Sequence, residues 1–121
     1  MYKLIRTDSG NADFQRLVSE LDRDLAIRDG DNHPFFAQFN LIGAIKHAVI
    51  AYEETIAVGC GAMKEYEKYI MEIKRMYVPL EKRGRGIAST VLKELENWAK
   101  ELGYQKCILE TGEKQPEAIQ L

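Results

Sequence analysis

The chain has 121 residues, 45% hydrophobic and 30% charged, a size and balance that fit one folded domain and exclude a disordered chain. Seventeen Lys and Arg stand against nineteen Asp and Glu, a formal charge of −2, which excludes a globally basic nucleic-acid binder but leaves room for a local basic pocket. No apolar run is long enough to span a membrane, and Met1 to Asp8 lacks the apolar stretch of a secretory signal, so a cytoplasmic protein is expected.

Tyr2 to Thr7 reads as a first strand. Asn11 is placed to cap a helix in which Phe14, Leu17, Val18, Leu21 and Leu25 recur at helical spacing. Asp29-Gly30-Asp31-Asn32 ends it, and His33-Pro34-Phe35-Phe36 begins a connecting segment with room for a short second helix up to Ile45. His47 to Tyr52 and Thr55 to Met63 are apolar and β-branched enough for two strands, joined at Glu53-Glu54 by a tight hairpin. Tyr69 to Val78 reads as another strand, stopped by Pro79. Glu81-Lys82-Arg83-Gly84-Arg85-Gly86 is a charged, glycine-bearing loop. Beyond it Ile87, Ala88, Val91, Leu92, Leu95, Ala99 and Leu102 mark one face of a helix, and Gly103 is its stop. Gln105 to Thr111 is the next strand, and Pro116 is expected to open a final helix, of which the chain holds only the first residues. A strand, loop, helix and strand in succession form a crossover with two parallel strands, whereas the earlier strands should pair antiparallel. The expected fold is therefore α/β in one domain, with a mixed, mainly antiparallel sheet.

The loop carries the chemistry. Free N–H groups at a helix start, with the helix dipole behind them, attract an anion. Gly84 and Gly86 let a phosphate approach the backbone, and Lys82, Arg83 and Arg85 add charge, so a pyrophosphate is the natural guest. A P-loop would need a Gly-Lys-Ser/Thr ending, which is absent. A dinucleotide fingerprint would take Gly84 and Gly86 as its first glycines and Glu110 as the ribose carboxylate, but Ser89 holds its third glycine position and no second half-domain follows.

Arg83-Gly84-Arg85-Gly86-Ile87-Ala88 matches the Arg/Gln-x-x-Gly-x-Gly/Ala signature of the GNAT superfamily of N-acetyltransferases, and the chain from Val58 onward resembles that family in its succession of elements. Met71 to Pro79 resembles the family's fourth strand, Ile108 to Thr111 its fifth, and Gln115 to Leu121 the start of its last helix. The resemblance implies a sheet whose fourth and fifth strands are parallel and splay apart to hold acetyl-coenzyme A, here without the family's C-terminal strand pair. It implies pantetheine along the backbone of Met76, Tyr77 and Val78, pyrophosphate on the amides from Arg83 through Gly84, Arg85, Gly86 and Ile87 to Ala88, and the Met76 N–H as oxyanion donor. The acetyl group would pass directly to a primary amine of a small molecule or peptide, with Glu72 as the base that takes up the amine proton. The other reading of Glu72 is a strand residue paired with Lys74 on the same face. Even spacing places Glu72 and Met76 on one face unless a bulge intervenes. The family's general-acid tyrosine commonly lies in its last helix, and nothing in this chain matches it.

Other candidates have plainer explanations. Cys60, a conceivable nucleophile, and Cys107 both sit in apolar strand runs and read as buried reduced thiols. Together with His33 and His47 they show no metal-ligand spacing, and no metal is expected. Tyr66 and Tyr69 could line the amine pocket or lie on a hairpin surface, and Asp22, Asp24, Asp29 and Asp31 read as a solvated helix end that could also attract a cationic amine. No nucleic-acid or membrane partner is expected, while uncovered sheet edges favour a homo-oligomer. A coenzyme A-binding regulatory module without turnover is the alternative to an enzyme.

Overall fold

A computed structural model of the chain describes residues 2–29, 45–109 and 118–120. The elements are β1 (Lys3–Thr7), α1 (Ala12–Asp29), β2 (His47–Glu53), β3 (Ile56–Glu67), β4 (Ile70–Tyr77), α2 (Ile87–Glu101), β5 (Lys106–Leu109) and β6 (Ala118–Gln120), with a short 3-10 turn at Leu80–Lys82. The strands lie in one sheet in sequence order. Among the described residues only β4 and β5 run parallel, joined through α2 as the crossover pattern requires, and every other neighbouring pair is antiparallel.

Local signals set most element ends. Asn11 caps α1 by accepting a hydrogen bond from the Phe14 N–H through Oδ1 at 3.0 Å. Glu54, at φ 57°, turns the β2–β3 hairpin, with Glu53 opposite Ile56. Gly103, at φ 95°, ends α2: its N–H donates to Lys100 O and the Tyr104 N–H to Ala99 O, the paired bonds of a left-handed helix stop.

Alternation along the strands divides the core into two layers. Phe14, Leu17 and Val18 of α1 pack with Ala48, Ile50, Ala57, Cys60, Ala62 and Tyr77 on one face. Ile87, Val91, Leu95 and Ala99 of α2 pack with Val49, Ala51, Val58, Met63, Met71 and Ile73 on the other. The α2 layer is close because β3 has glycine beneath it. A Cβ at Gly59 would stand 2.6 Å from Ile87 Cγ2, and one at Gly61 would run into Met76 Sδ and stand 2.9 Å from Leu95 Cδ1. Arg6 of β1 straps α2 from outside, its guanidinium 2.7 Å from Glu94, 2.8 Å from Glu101 and over the Trp98 ring.

Three expectations change. Residues 118–120 are extended, not helical: Ile119 pairs opposite Cys107, so a strand covers the outer edge of β5 where the first turn of a helix was expected from Pro116. Edge hydrogen bonding to β5 outweighs the local helix-start signal of a single proline. Asp22, read as part of a solvated helix end, is fully buried, because it lies on the inward side of α1. Finally, Glu72 and Met76 do not share a face. The β3–β4 register shifts between Cys60 and Ala62, and Arg75 sits in the shift at φ 58°, so a bulge reverses the alternation before Met76. The possible second helix after His33 lies outside the described residues, as do His33, Asp31 and Glu110.

Candidate active site

The loop after β4 folds as an anion cradle. Pro79 starts the 3-10 turn at Leu80–Lys82, which carries the chain to Gly84 and Gly86 at φ 82° and 81°. Those left-handed conformations cost an L-residue about 1–2 kcal/mol, which is why glycine stands at both positions. Gly86 is the N-cap of α2 and supplies no side-chain cap, so the first-turn N–H groups have no internal acceptor. They open on a cleft of about 230 Å³ lined by Val78, Lys82, Arg83, Gly84, Gly86, Ile87, Ala88 and Ser89. A Cβ at Gly84 or Gly86 would meet nothing within 4 Å, so the space above both backbones is open to a guest. These features fit a pyrophosphate.

Beside the cleft, β4 runs on from Ile73, which pairs with Leu109 of β5, through Met76 to Tyr77, then to Val78 at the cleft wall. The Met76 side chain packs into the α2 layer, whereas Tyr77 faces the α1 layer. The Tyr77 hydroxyl donates to Glu20 at 3.4 Å, and burial, Asp24 and Glu20 together raise its pKa. Of the residues expected at the cofactor site, Val78, Arg83, Gly84, Gly86, Ile87 and Ala88 line this cleft, whereas Met76, Tyr77 and Arg85 do not.

The loop cations are not loose. Arg83 Nε donates to Val78 O at 2.7 Å, its guanidinium lies 5.8 Å from the Tyr77 ring centroid, and Asp24 of α1 stands 3.5 Å away. Lys82 Nζ is 3.0 Å from one oxygen of Glu53 and Arg85 is 3.7 Å from the other. Glu53 was legible in the sequence only as a hairpin residue. No local signal links residue 53 to residues 82 and 85.

Glu72 lies on the α1 side of the sheet, opposite Met71 and Ile73, with Lys74 Nζ at 3.6 Å. The other candidates fall away from the loop. Cys60 is fully buried, its thiol within 3.5 Å of Arg75 O, and burial pushes its pKa up to about 12. Burial also lifts Cys107 to about 11. Burial and the raised pKa both disfavour the thiolate form at either position. Tyr66 and Tyr69 are exposed at the β3–β4 hairpin, at the opposite end of β4 from the loop. His47 stacks edge-on against Trp98, with ring centroids 4.8 Å apart. It lines a larger cleft of about 480 Å³ with Met63, Met71 and Tyr104, at the C-terminal end of α2, and none of the predicted site residues borders that cleft. Among the described residues no group of His, Cys, Asp and Glu is arranged to hold a metal ion, and no helix is long and apolar enough to cross a membrane.

A mixed sheet with one parallel pair among the described strands, and an uncapped helix start beside the end of β4, match an acyl-coenzyme A N-acyltransferase architecture. The chain belongs to the acetyltransferase (GNAT) family, whose family model matches residues 2–121. It is 37% identical over 62 residues to the uncharacterized N-acetyltransferase YsnE of Bacillus subtilis (strain 168), covering 51% of this chain and 41% of that protein. It is 32% identical over 114 residues to an IAA acetyltransferase of Azospirillum brasilense, covering 88% of this chain and 71% of that one. The aligned part is thus less than half of the first relative's length. Among solved structures, a protein assigned as an acyl-CoA N-acyltransferase from Klebsiella pneumoniae superposes with a TM-score of 0.74 at 28% identity, over 95% of this chain and 74% of the other. A GNAT family acetyltransferase from Elizabethkingia anophelis, solved with acetyl-CoA bound, shares the fold with a TM-score of 0.69 at 18% identity, over 93% of this chain and 66% of the other.

Proposed function

We propose that this chain moves an acetyl group from acetyl-coenzyme A directly to a primary amine of a small molecule or peptide. The observation that carries this reading is the uncapped start of α2 opening on a cleft beside the end of β4. The first-turn N–H groups at Ile87 and Ala88, with Gly84, Gly86 and the Arg83 and Arg85 charges, would hold the pyrophosphate. The backbone of Met76, Tyr77 and Val78 would pair with pantetheine as an added strand. Acetyl-coenzyme A supplies an activated acyl carbon, and the amine nitrogen bonds to it as the carbon–sulfur bond breaks.

In that exchange the chain has two chemical tasks. The Met76 N–H would donate to the thioester oxygen, where negative charge grows. Glu72 would take the amine proton. Glu72 stands four residues before Met76 and, across the bulge, on the opposite face of the sheet, so the proton would travel through water.

Titration of the protein with coenzyme A in a calorimeter, followed by a thiol-release assay over a panel of amines, tests the proposal. Binding followed by thiol release with one amine class supports transfer. Binding with no release across the panel favours a coenzyme A-binding module, a reading in keeping with the Glu72–Lys74 pair at 3.6 Å. No binding overturns both.

A further inference from the structure

Glu53 belongs to neither the loop nor the strand edge, yet its carboxylate reaches two of the three loop cations. One oxygen is 3.0 Å from Lys82 Nζ and the other 3.7 Å from Arg85. The hairpin holds it there: Glu53 pairs opposite Ile56 at the end of β2, and Glu54 turns the chain with a positive φ. Lys82 lines the 230 Å³ cleft, while neither Glu53 nor Arg85 does, so the Glu53–Arg85 pair at 3.7 Å lies outside the cleft. Arg83 is engaged separately with Val78 O and Asp24. Every cation of the loop therefore has an anionic side chain within 4 Å.

We propose that Glu53 is a resident counter-anion of the cofactor loop, which an incoming coenzyme A must displace from Lys82 and Arg85, and which thereby sets how strongly the loop binds phosphate. This rests on the cofactor reading given above. A carboxylate carries one charge and coenzyme A carries several, so the exchange favours a polyphosphorylated ligand over a single anion. Lys82 holds the Glu53 carboxyl below the usual carboxylate range, with Arg85 adding to the effect, so Glu53 remains charged at neutral pH. Both pairs are partly exposed, so each is weak enough to exchange and is screened by salt.

The test is calorimetric titration of coenzyme A into the wild type and Glu53→Gln at low and at high salt. Glu53→Gln keeps the shape of the hairpin residue and removes its charge. The expected result is binding roughly threefold to tenfold tighter at low salt, with the gain shrinking as salt rises. In a Lys82→Gln/Arg85→Gln background the same change should bring no gain. Unchanged or weaker binding of Glu53→Gln, with the wild type still binding, overturns the role of Glu53 and leaves the cofactor site standing. Absence of binding in both proteins overturns the cofactor reading and this inference together.

Discussion

Glu72 and Met76 stand four residues apart on β4 and face opposite sides of the sheet. Met71 and Ile73 pack against α2, which turns Glu72 toward the α1 side, while Met76 packs against α2 itself. Arg75, at φ 58° in the shifted register, accounts for the reversal. A strand with regular alternation would place the carboxylate and the methionine side chain together. The bulge separates them and leaves Tyr77, rather than Met76, on the carboxylate's side.

If Glu72 takes the amine proton as proposed, Glu72→Gln should slow turnover by ~10²–10⁴ while coenzyme A affinity stays nearly unchanged, because the carboxylate is remote from the loop. Steady-state kinetics beside calorimetry measure both quantities. Wild-type turnover in the variant would return Glu72 to a strand residue paired with Lys74.

At the loop, Gly86→Glu should fold and lose coenzyme A. The position has open space for a side chain, and the left-handed conformation costs about 1–2 kcal/mol. A carboxylate beside the phosphates at an effective dielectric near 20 costs roughly 4 kcal/mol at 4 Å, so affinity should fall by roughly 10²–10³. Circular dichroism checks the fold and calorimetry the affinity.

Gly59 lies beneath the start of α2 at Ile87, and Gly61 beneath Met76 and Leu95. Gly61→Ala would push its Cβ into Met76 and Leu95 and is expected to cost about 1–3 kcal/mol, read as a lowered melting temperature. Gly59→Ala meets Ile87, the first residue of α2, and should weaken coenzyme A binding as well as stability. A Gly59→Ala protein with unchanged affinity would show that the helix start tolerates displacement.

The stability of the protein should fall in two steps on acidification. Burial, helped by Lys46, lowers the His47 pKa below its ordinary 6.5. The unfolded chain then binds the proton more readily, so this contribution is present above about pH 6.5 and is lost as pH falls through the folded value. Glu101, held below the carboxylate range by Arg6, gives a contribution present above its ordinary 4.5 and lost at more acid pH. Thermal melts between pH 7 and 3 should show the first step in the wild type and not in His47→Phe. Arg6→Ala should affect only the second.

Cys60 and Cys107 are expected to react with a thiol reagent only after unfolding, since both are buried and both pKa values are raised. Rapid labelling of the native protein at either position would contradict the packed strand geometry.

The elements legible in the sequence are those whose signals lie within a few residues of one another. Asn11 caps the helix it precedes, Gly103 ends the one it follows, and the spacing from Arg83 to Ala88 places two glycines at a helix start. Such features depend on local backbone angles and hydrogen bonds, which neighbouring residues govern. Folding in three dimensions added what depends on distant partners. The bulge at Arg75 comes from matching β4 to β3, the strand at 118–120 from the edge of β5, and the burial of Asp22 from the way α1 lies on the sheet. Glu53 meets Lys82 and Arg85 only because a hairpin and a loop end at the same corner of the sheet. Residue spacing encodes period and turn, but register and the meeting of remote side chains depend on which strand edges pair and which faces pack.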